Sequence, residues 1–386
     1  MNSTNAQNNQ YMITNVDVFN GQKIEEKQAI IINDDSISSI ISMKEADSLT
    51  LDRIDGEGAL ATAGFIDIQL NGCGGVLLNT DIALSTLETM NKTNVKYGTT
   101  QYLPTLITST EIDLHNTLSM MTNFENAEQE GVLGLHLEGP FISIEKKGAH
   151  QAQYIRELDL NTAHLLAQHR DQIKVITLAP EHIKQDVLDC LTAAGITVSI
   201  GHTNATYDQV NARTGFTMAT HLYNAMTPLG SREPGVVGYI FDQKPHAGII
   251  VDGIHASYPS VRIAHEQLKE KLFLVTDAVT PAGTDLTEFD MAGTPAYVTD
   301  GKCHYKDGTI AGAAITMIDG VRNLINHVGL SKEEALRMAS LYPAQALKID
   351  NEYGQLKENY KANITLIDSN NDITTTIQMG KLVYQK

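Results

Sequence analysis

Eight short apolar, β-prone runs, most of them separated by helical patterns, constrain this chain more than any other feature. They are GFIDIQL near 64, TQYLPTL near 100, VLGLHLE near 132, KVITLAPE near 174, TVSIGH near 197, MATHLYN near 218, AGIIVDG near 247 and KLFLVTD near 271. Helical patterns span Asp81 to Tyr97, His182 to Ala194 and Ser257 to Lys269. Strands alternating with helices demand a parallel sheet, and eight of them predict a closed (β/α)8 TIM-type barrel. An open doubly wound α/β sheet ranks second, because no Gly-x-Gly-x-x-Gly turn follows the first strand.

Both ends of the chain read differently. From Tyr11 to about Ile54, and again from about Tyr353, short alternating strands and turns dominate. A small β-sandwich domain assembled from both termini is expected. Its parts are residues 1–60 and 351–386, with the metal-dependent barrel over 61–350 and a flexible polar tail over about the first ten residues. The 386-residue length suits a barrel with such an appendage.

The formal net charge is -18. An acidic surface repels nucleic acid and anionic membranes, so neither is an expected partner. The three cysteines, Cys73, Cys190 and Cys303, lie far apart and suit a reducing compartment. With no signal-peptide pattern and no long apolar stretch, a cytoplasmic location is expected.

Barrel chemistry sits at the C-terminal ends of the strands, and six of the eight runs carry a polar residue there. Strand one carries Asp67, Gln69 and Asn71. Strand three ends on Glu138, strand five on His202, and strand six carries His221. Strand seven leads to His255 and strand eight ends on Asp277. A lone strand-end histidine is more often a hydrogen-bonded structural residue. Together, Glu138, His202 and His221 offer a carboxylate and two imidazoles to one divalent ion and leave a position open for water. His136 lies two residues before Glu138 and competes as a ligand, but Gly139-Pro140 ends the strand at Glu138 and puts His136 one layer down. Asp277 is placed to act as general base and then general acid.

These residues resemble the amidohydrolase superfamily, and within it the N-acetylglucosamine-6-phosphate deacetylases. The resemblance is carried by GFIDIQLNGCGG (64–75), LHLEGPF (135–141), KKGAH (146–150), GHTNATY (201–207), THLYNAM (220–226), REPG (232–235), DGIH (252–255) and VTDA (275–278). It covers nearly the whole chain. It implies Glu138, His202 and His221 as metal ligands, Asp277 as catalytic acid/base and His150 as a contact to the sugar derivative near its amide. Asn224, the backbone N–H of Ala225, Arg232 and His255 are implied as substrate-binding groups, chiefly at a phosphate. It also implies a homodimer or larger assembly, with a phosphate contact supplied by a neighbouring subunit.

The implied activity is hydrolysis of N-acetyl-D-glucosamine 6-phosphate to D-glucosamine 6-phosphate and acetate, by a water activated at the ion with Asp277 moving the proton. Many amidohydrolases carry His-x-His after strand one. Here Gln69 and Asn71 stand instead, so one ion per subunit is expected: Zn2+ first, then Fe2+, Co2+ or Mn2+. Gln69 is expected to hydrogen-bond the water or orient a ligand. Ala313 stands where the family commonly has Ser. The alternatives are a related N-acyl amino-sugar phosphate as substrate, or a non-catalytic barrel scaffold.

Overall fold

The computed structural model describes residues 10–386. The expected tail therefore lies almost wholly outside the described residues, and Gln10 already opens a strand.

All eight runs are strands of one parallel sheet: Phe65–Leu70, Thr99–Ile107, Leu135–Glu138, Ile173–Leu178, Thr197–Ile200, Phe216–Ala219, His246–Ile250 and Leu272–Val275. Each pairs with its neighbour in sequence order. The ends meet beyond the last strand, where Asp277 N–H donates to the Gln69 carbonyl at 2.9 Å and Asn71 N–H to the Ala278 carbonyl at 2.9 Å. The barrel is thus nearly closed. Its strands are buried on both faces because helices cover the outside and side chains fill the inside. Val198, Ile249 and Leu274 are fully buried on this account.

The two chain ends are sewn into one eight-stranded sheet. Ile364–Ile367 pairs antiparallel with Leu60–Ala63, which runs parallel to Gln10–Phe19, next to Ile24–Asn33 and Ser36–Ser42. Period-two alternation divides its side chains. Ile13, Ile30 and Ile32 enter one apolar cluster with Ile364 and Leu366, while Met12, Ala29 and Ile31 enter another. Among the described residues no helix is long and apolar enough to cross a membrane.

One element was not expected. Residues 288–313 form a four-stranded antiparallel sheet inserted after the eighth strand. Two of its three turns are two-residue hairpins, at Ala292-Gly293 and Asp300-Gly301, all with positive φ. That is the chemistry such turns require. The sheet packs over the barrel mouth, where Tyr305 donates to the Ala149 carbonyl at 3.2 Å.

Candidate active site

Four of the expected side chains, Glu138, His202, His221 and Asp277, converge at the C-terminal rim of the barrel. Glu138 is the last residue of the third strand. His202, His221 and Asp277 each lie two residues past the ends of the fifth, sixth and eighth strands. All three adopt left-handed backbone, with φ of 46°, 32° and 49°. Such residues each cost of order ~1–3 kcal/mol, so the surrounding structure must hold them in place. Gly201 helps at the fifth strand: a Cβ there would sit 2.6 Å from Thr177 Cγ2 and 3.0 Å from Thr220 Cβ.

Glu138 Oε1 lies 3.2 Å from His202 Nε2 and 2.9 Å from His221 Nε2, and the two imidazole nitrogens are 3.0 Å apart. All three residues are buried. His202 Nδ1–H donates to the Lys146 carbonyl at 2.8 Å, which leaves the lone pair on Nε2 facing the carboxylate. A carboxylate oxygen and lone-pair nitrogens at this spacing form a donor set for one cation with ~2.0–2.2 Å bonds. Burial opposes the charge on Glu138, but its contacts with the His202 and His221 rings hold its carboxyl well below the usual range. Burial also opposes charge on His221, yet Glu138 raises its pKa. The residues fit a divalent ion.

Gln69 Nε2 donates to Glu138 Oε1 at 3.1 Å and so fixes the carboxylate from behind. His136 lies below, with Nδ1 3.0 Å from the Ile68 carbonyl and Nε2 2.7 Å from Thr177 Oγ1. Both its ring nitrogens are engaged, and burial pushes its pKa down to about 4.

His150 stands beside His202 with ring centroids 4.2 Å apart, and one of its ring nitrogens lies within 4.8 Å of ligand atoms of Glu138 and His202. Proximity alone would make it a fourth ligand. Its hydrogen bonds argue otherwise: Nδ1 accepts from Thr108 N–H at 3.3 Å and lies 2.7 Å from Thr108 Oγ1. With Nδ1 accepting, the neutral ring carries its proton on Nε2 and is a donor there. Burial keeps the ring neutral by pushing its pKa well down.

Asp277 lines the same cavity, of about 390 Å³. Enclosure by protein raises its carboxyl to about 6, and the nearby Glu138 charge pushes the same way. Asn71 Nδ2 donates to Asp277 Oδ1 at 2.7 Å. Just below, burial raises Asp67 to about 7, against hydrogen bonds from Thr276.

The far side of the cavity carries His255, Asn224 and Ala225. His255 Nδ1 is 2.6 Å from Asp252 Oδ2, and Asp252 Oδ1 accepts the backbone N–H of Ile254 and His255, both at 2.8 Å. Asn224 Nδ2 turns back to the carbonyls of His221 and Leu222 at 3.2 and 3.3 Å. Arg232 is exposed and does not line the cavity.

Sequence reasoning missed three contributors. Asn71 is read as a polar strand-end residue in place of a histidine, not as the partner of Asp277. Thr108 carries no signal of its own. The inserted sheet places Met291, Ile310 and Gly312 on the cavity wall. Its Asp-Gly turns were readable, but its position over the mouth was not.

The amidohydrolase family profile matches residues 60–383. A relative from Haemophilus influenzae, N-acetylglucosamine-6-phosphate deacetylase, is 40% identical over 376 residues, 96% of this chain and 98% of its own. The chain belongs to the N-acetylglucosamine-6-phosphate deacetylase family of amidohydrolases. The crystal structure of a member of that family from Pasteurella multocida superposes with a TM-score of 0.93 at 39% identity, covering 98% of this chain and 100% of the other. N-acetylgalactosamine-6-phosphate deacetylase from a Shewanella species is 33% identical over 328 residues, 84% of this chain and 83% of its own. Amidohydrolases of this family are metal-dependent, in keeping with the donor set at the barrel mouth.

Proposed function

We propose that this deacetylase-family chain hydrolyses N-acetyl-D-glucosamine 6-phosphate to D-glucosamine 6-phosphate and acetate. The observation that carries the reading is the meeting of Glu138 Oε1, His202 Nε2 and His221 Nε2 within 3.2 Å of one another, in one cavity with Asp277. Glu138, His202 and His221 hold one divalent ion, Zn2+ first by its preference for imidazole and carboxylate. Bound there, such an ion lowers the pKa of water toward neutrality and polarises a carbonyl.

The chain's own residues do the rest. Asp277 takes a proton from the attacking water and returns it to the leaving nitrogen. A carboxyl raised to about 6 suits both halves of that task near neutral pH. His150 Nε2–H donates to the carbonyl oxygen as charge develops on it. Gln69 keeps Glu138 in orientation.

His255 and the Asn224-Ala225 turn bind the phosphate. Arg232 is exposed and pairs with no carboxylate of its own chain among the described ion pairs. It is therefore assigned to the phosphate of a neighbouring subunit in a homodimer. Free Cys73, Cys190 and Cys303 support a cytoplasmic location. Ala313 is buried and gives its backbone N–H to the Asp277 carbonyl at 3.0 Å, so the backbone path and not a hydroxyl serves the site there.

Arg232→Ala is expected to lower kcat/KM for the phosphorylated substrate by about one to two orders of magnitude, the worth of a charge-assisted hydrogen bond. Residual activity on N-acetylglucosamine should hardly change. Equal losses on both substrates would remove Arg232 from phosphate recognition. The Shewanella relative supports a second reading, in which the galacto epimer is the substrate, and assaying both epimers in parallel decides between them.

A further inference from the structure

Asn71 lies one residue past the first barrel strand, is only 1% exposed and lines the same cavity as Asp277. Its backbone is pinned, with N–H donating to the Ala278 carbonyl at 2.9 Å and its carbonyl accepting from Leu78 N–H at 3.0 Å. Its Nδ2 donates to Asp277 Oδ1 at 2.7 Å. A carboxylate only accepts, so this contact decides which end of the amide faces Asp277. The other end, Oδ1, is buried and receives no hydrogen bond from any of the described residues. Buried acceptors are normally paired, and one without a partner in a reactive cavity needs a reason.

The reason lies in the hydrolysis assigned above, on which this inference rests. In that reaction water's oxygen bonds to the acetyl carbon and the C–N bond breaks. One proton of the water passes to Asp277 and then to the nitrogen, which leaves as the amine. To take that proton, the nitrogen must come within hydrogen-bond reach of Asp277. With C=O and C–N bonds of ~1.23 and ~1.33 Å, the two polar atoms of an amide are only about 2.3 Å apart. A nitrogen seated against Asp277 is therefore beside Asn71 Oδ1 as well, and it carries the one N–H of the acetamide.

We propose that Asn71 is a catalytic residue that reads this N–H. Its Oδ1 accepts a hydrogen bond from the scissile amide nitrogen, and the bond strengthens as Asp277 protonates that nitrogen and puts positive charge on it. Its Nδ2 meanwhile holds Asp277. The pair selects an acyl amide over an acyl ester, because a site built to hydrogen-bond an N–H discriminates against the analogue lacking it.

The test compares kcat/KM of the metal-replete full chain for N-acetylglucosamine 6-phosphate and for 2-O-acetylglucose 6-phosphate, in which oxygen replaces the N–H. Asn71→Ala should lower the amide rate about 10- to 100-fold more than the ester rate. Asp277→Asn, which should lower both, shows that the ester rate reports bond cleavage. In calorimetry, Asn71→Ala should weaken binding of glucosamine 6-phosphate while leaving glucose 6-phosphate unchanged. Asn71→Ser gives the same comparison if the alanine variant does not fold. Equal losses on amide and ester would overturn the proposal and leave Asn71 only a positioning residue for Asp277. Failure of the unmodified enzyme to release acetate from the amide overturns the deacetylase reading itself, which separates the two failures.

Discussion

Asp277→Asn should cut turnover by ~10²–10⁴-fold while leaving the fold and the metal content unchanged. That range corresponds to about 3–5.5 kcal/mol of transition-state stabilisation. The substitution is nearly isosteric, and its carbonyl oxygen can still accept from Asn71 Nδ2, now 2.7 Å from Asp277 Oδ1. Only the capacity to take and return a proton is lost. The left-handed φ of 49° at this position is a backbone demand that Asn tolerates better than most residues. Steady-state kinetics with elemental analysis of the same sample reads both quantities. A variant with near-normal kcat would remove Asp277 from proton transfer. Loss of the ion along with activity would make it a ligand.

Glu138→Gln should weaken metal binding more than ~100-fold, beyond the 10–100-fold typical for residues that merely orient ligands. The carboxylate supplies the only negative charge in a set otherwise made of neutral imidazoles. Its contacts with the His202 and His221 rings hold it ionised despite burial. A neutral amide oxygen is a weak ligand beside imidazole. Protein saturated with zinc and then desalted should retain about one ion per chain in the unmodified enzyme and close to none in the variant. Retention of a full ion by Glu138→Gln, with turnover intact, would move the site elsewhere. Two tightly held ions in the unmodified enzyme, both needed for activity, would contradict the single-ion assignment.

Much of this architecture was legible because strand and helix periods differ and because barrels place chemistry at strand ends. All eight runs became barrel strands, and the two β-rich ends joined through Ile364–Ile367 and Leu60–Ala63. The strand-end logic picked out Glu138, His202, His221 and Asp277, which the fold brings to one rim. What was not legible depends on contacts between distant segments. Asn71 and Asp277 are 206 residues apart, and nothing local marks them as partners. His150 reads only as a contact to the sugar derivative near its amide, and its tautomer is fixed by Thr108, 42 residues away. Arg232 carries a suitable charge, but no local pattern says that its loop stands outside the cavity of its own chain. The hairpin turns of residues 288–313 obey local rules, whereas the docking of that sheet over the mouth is set by tertiary contacts such as Tyr305 to Ala149.

The most direct test of the central claim is acetate release from N-acetyl-D-glucosamine 6-phosphate, measured on zinc-reconstituted protein, on chelated protein and on chelated protein given zinc again. The account predicts stoichiometric acetate and glucosamine 6-phosphate from the first, loss of activity in the second and recovery in the third. It also predicts a marked preference over unphosphorylated N-acetylglucosamine. Acetate release that survives complete removal of metal, or none from the metal-replete enzyme, would contradict it.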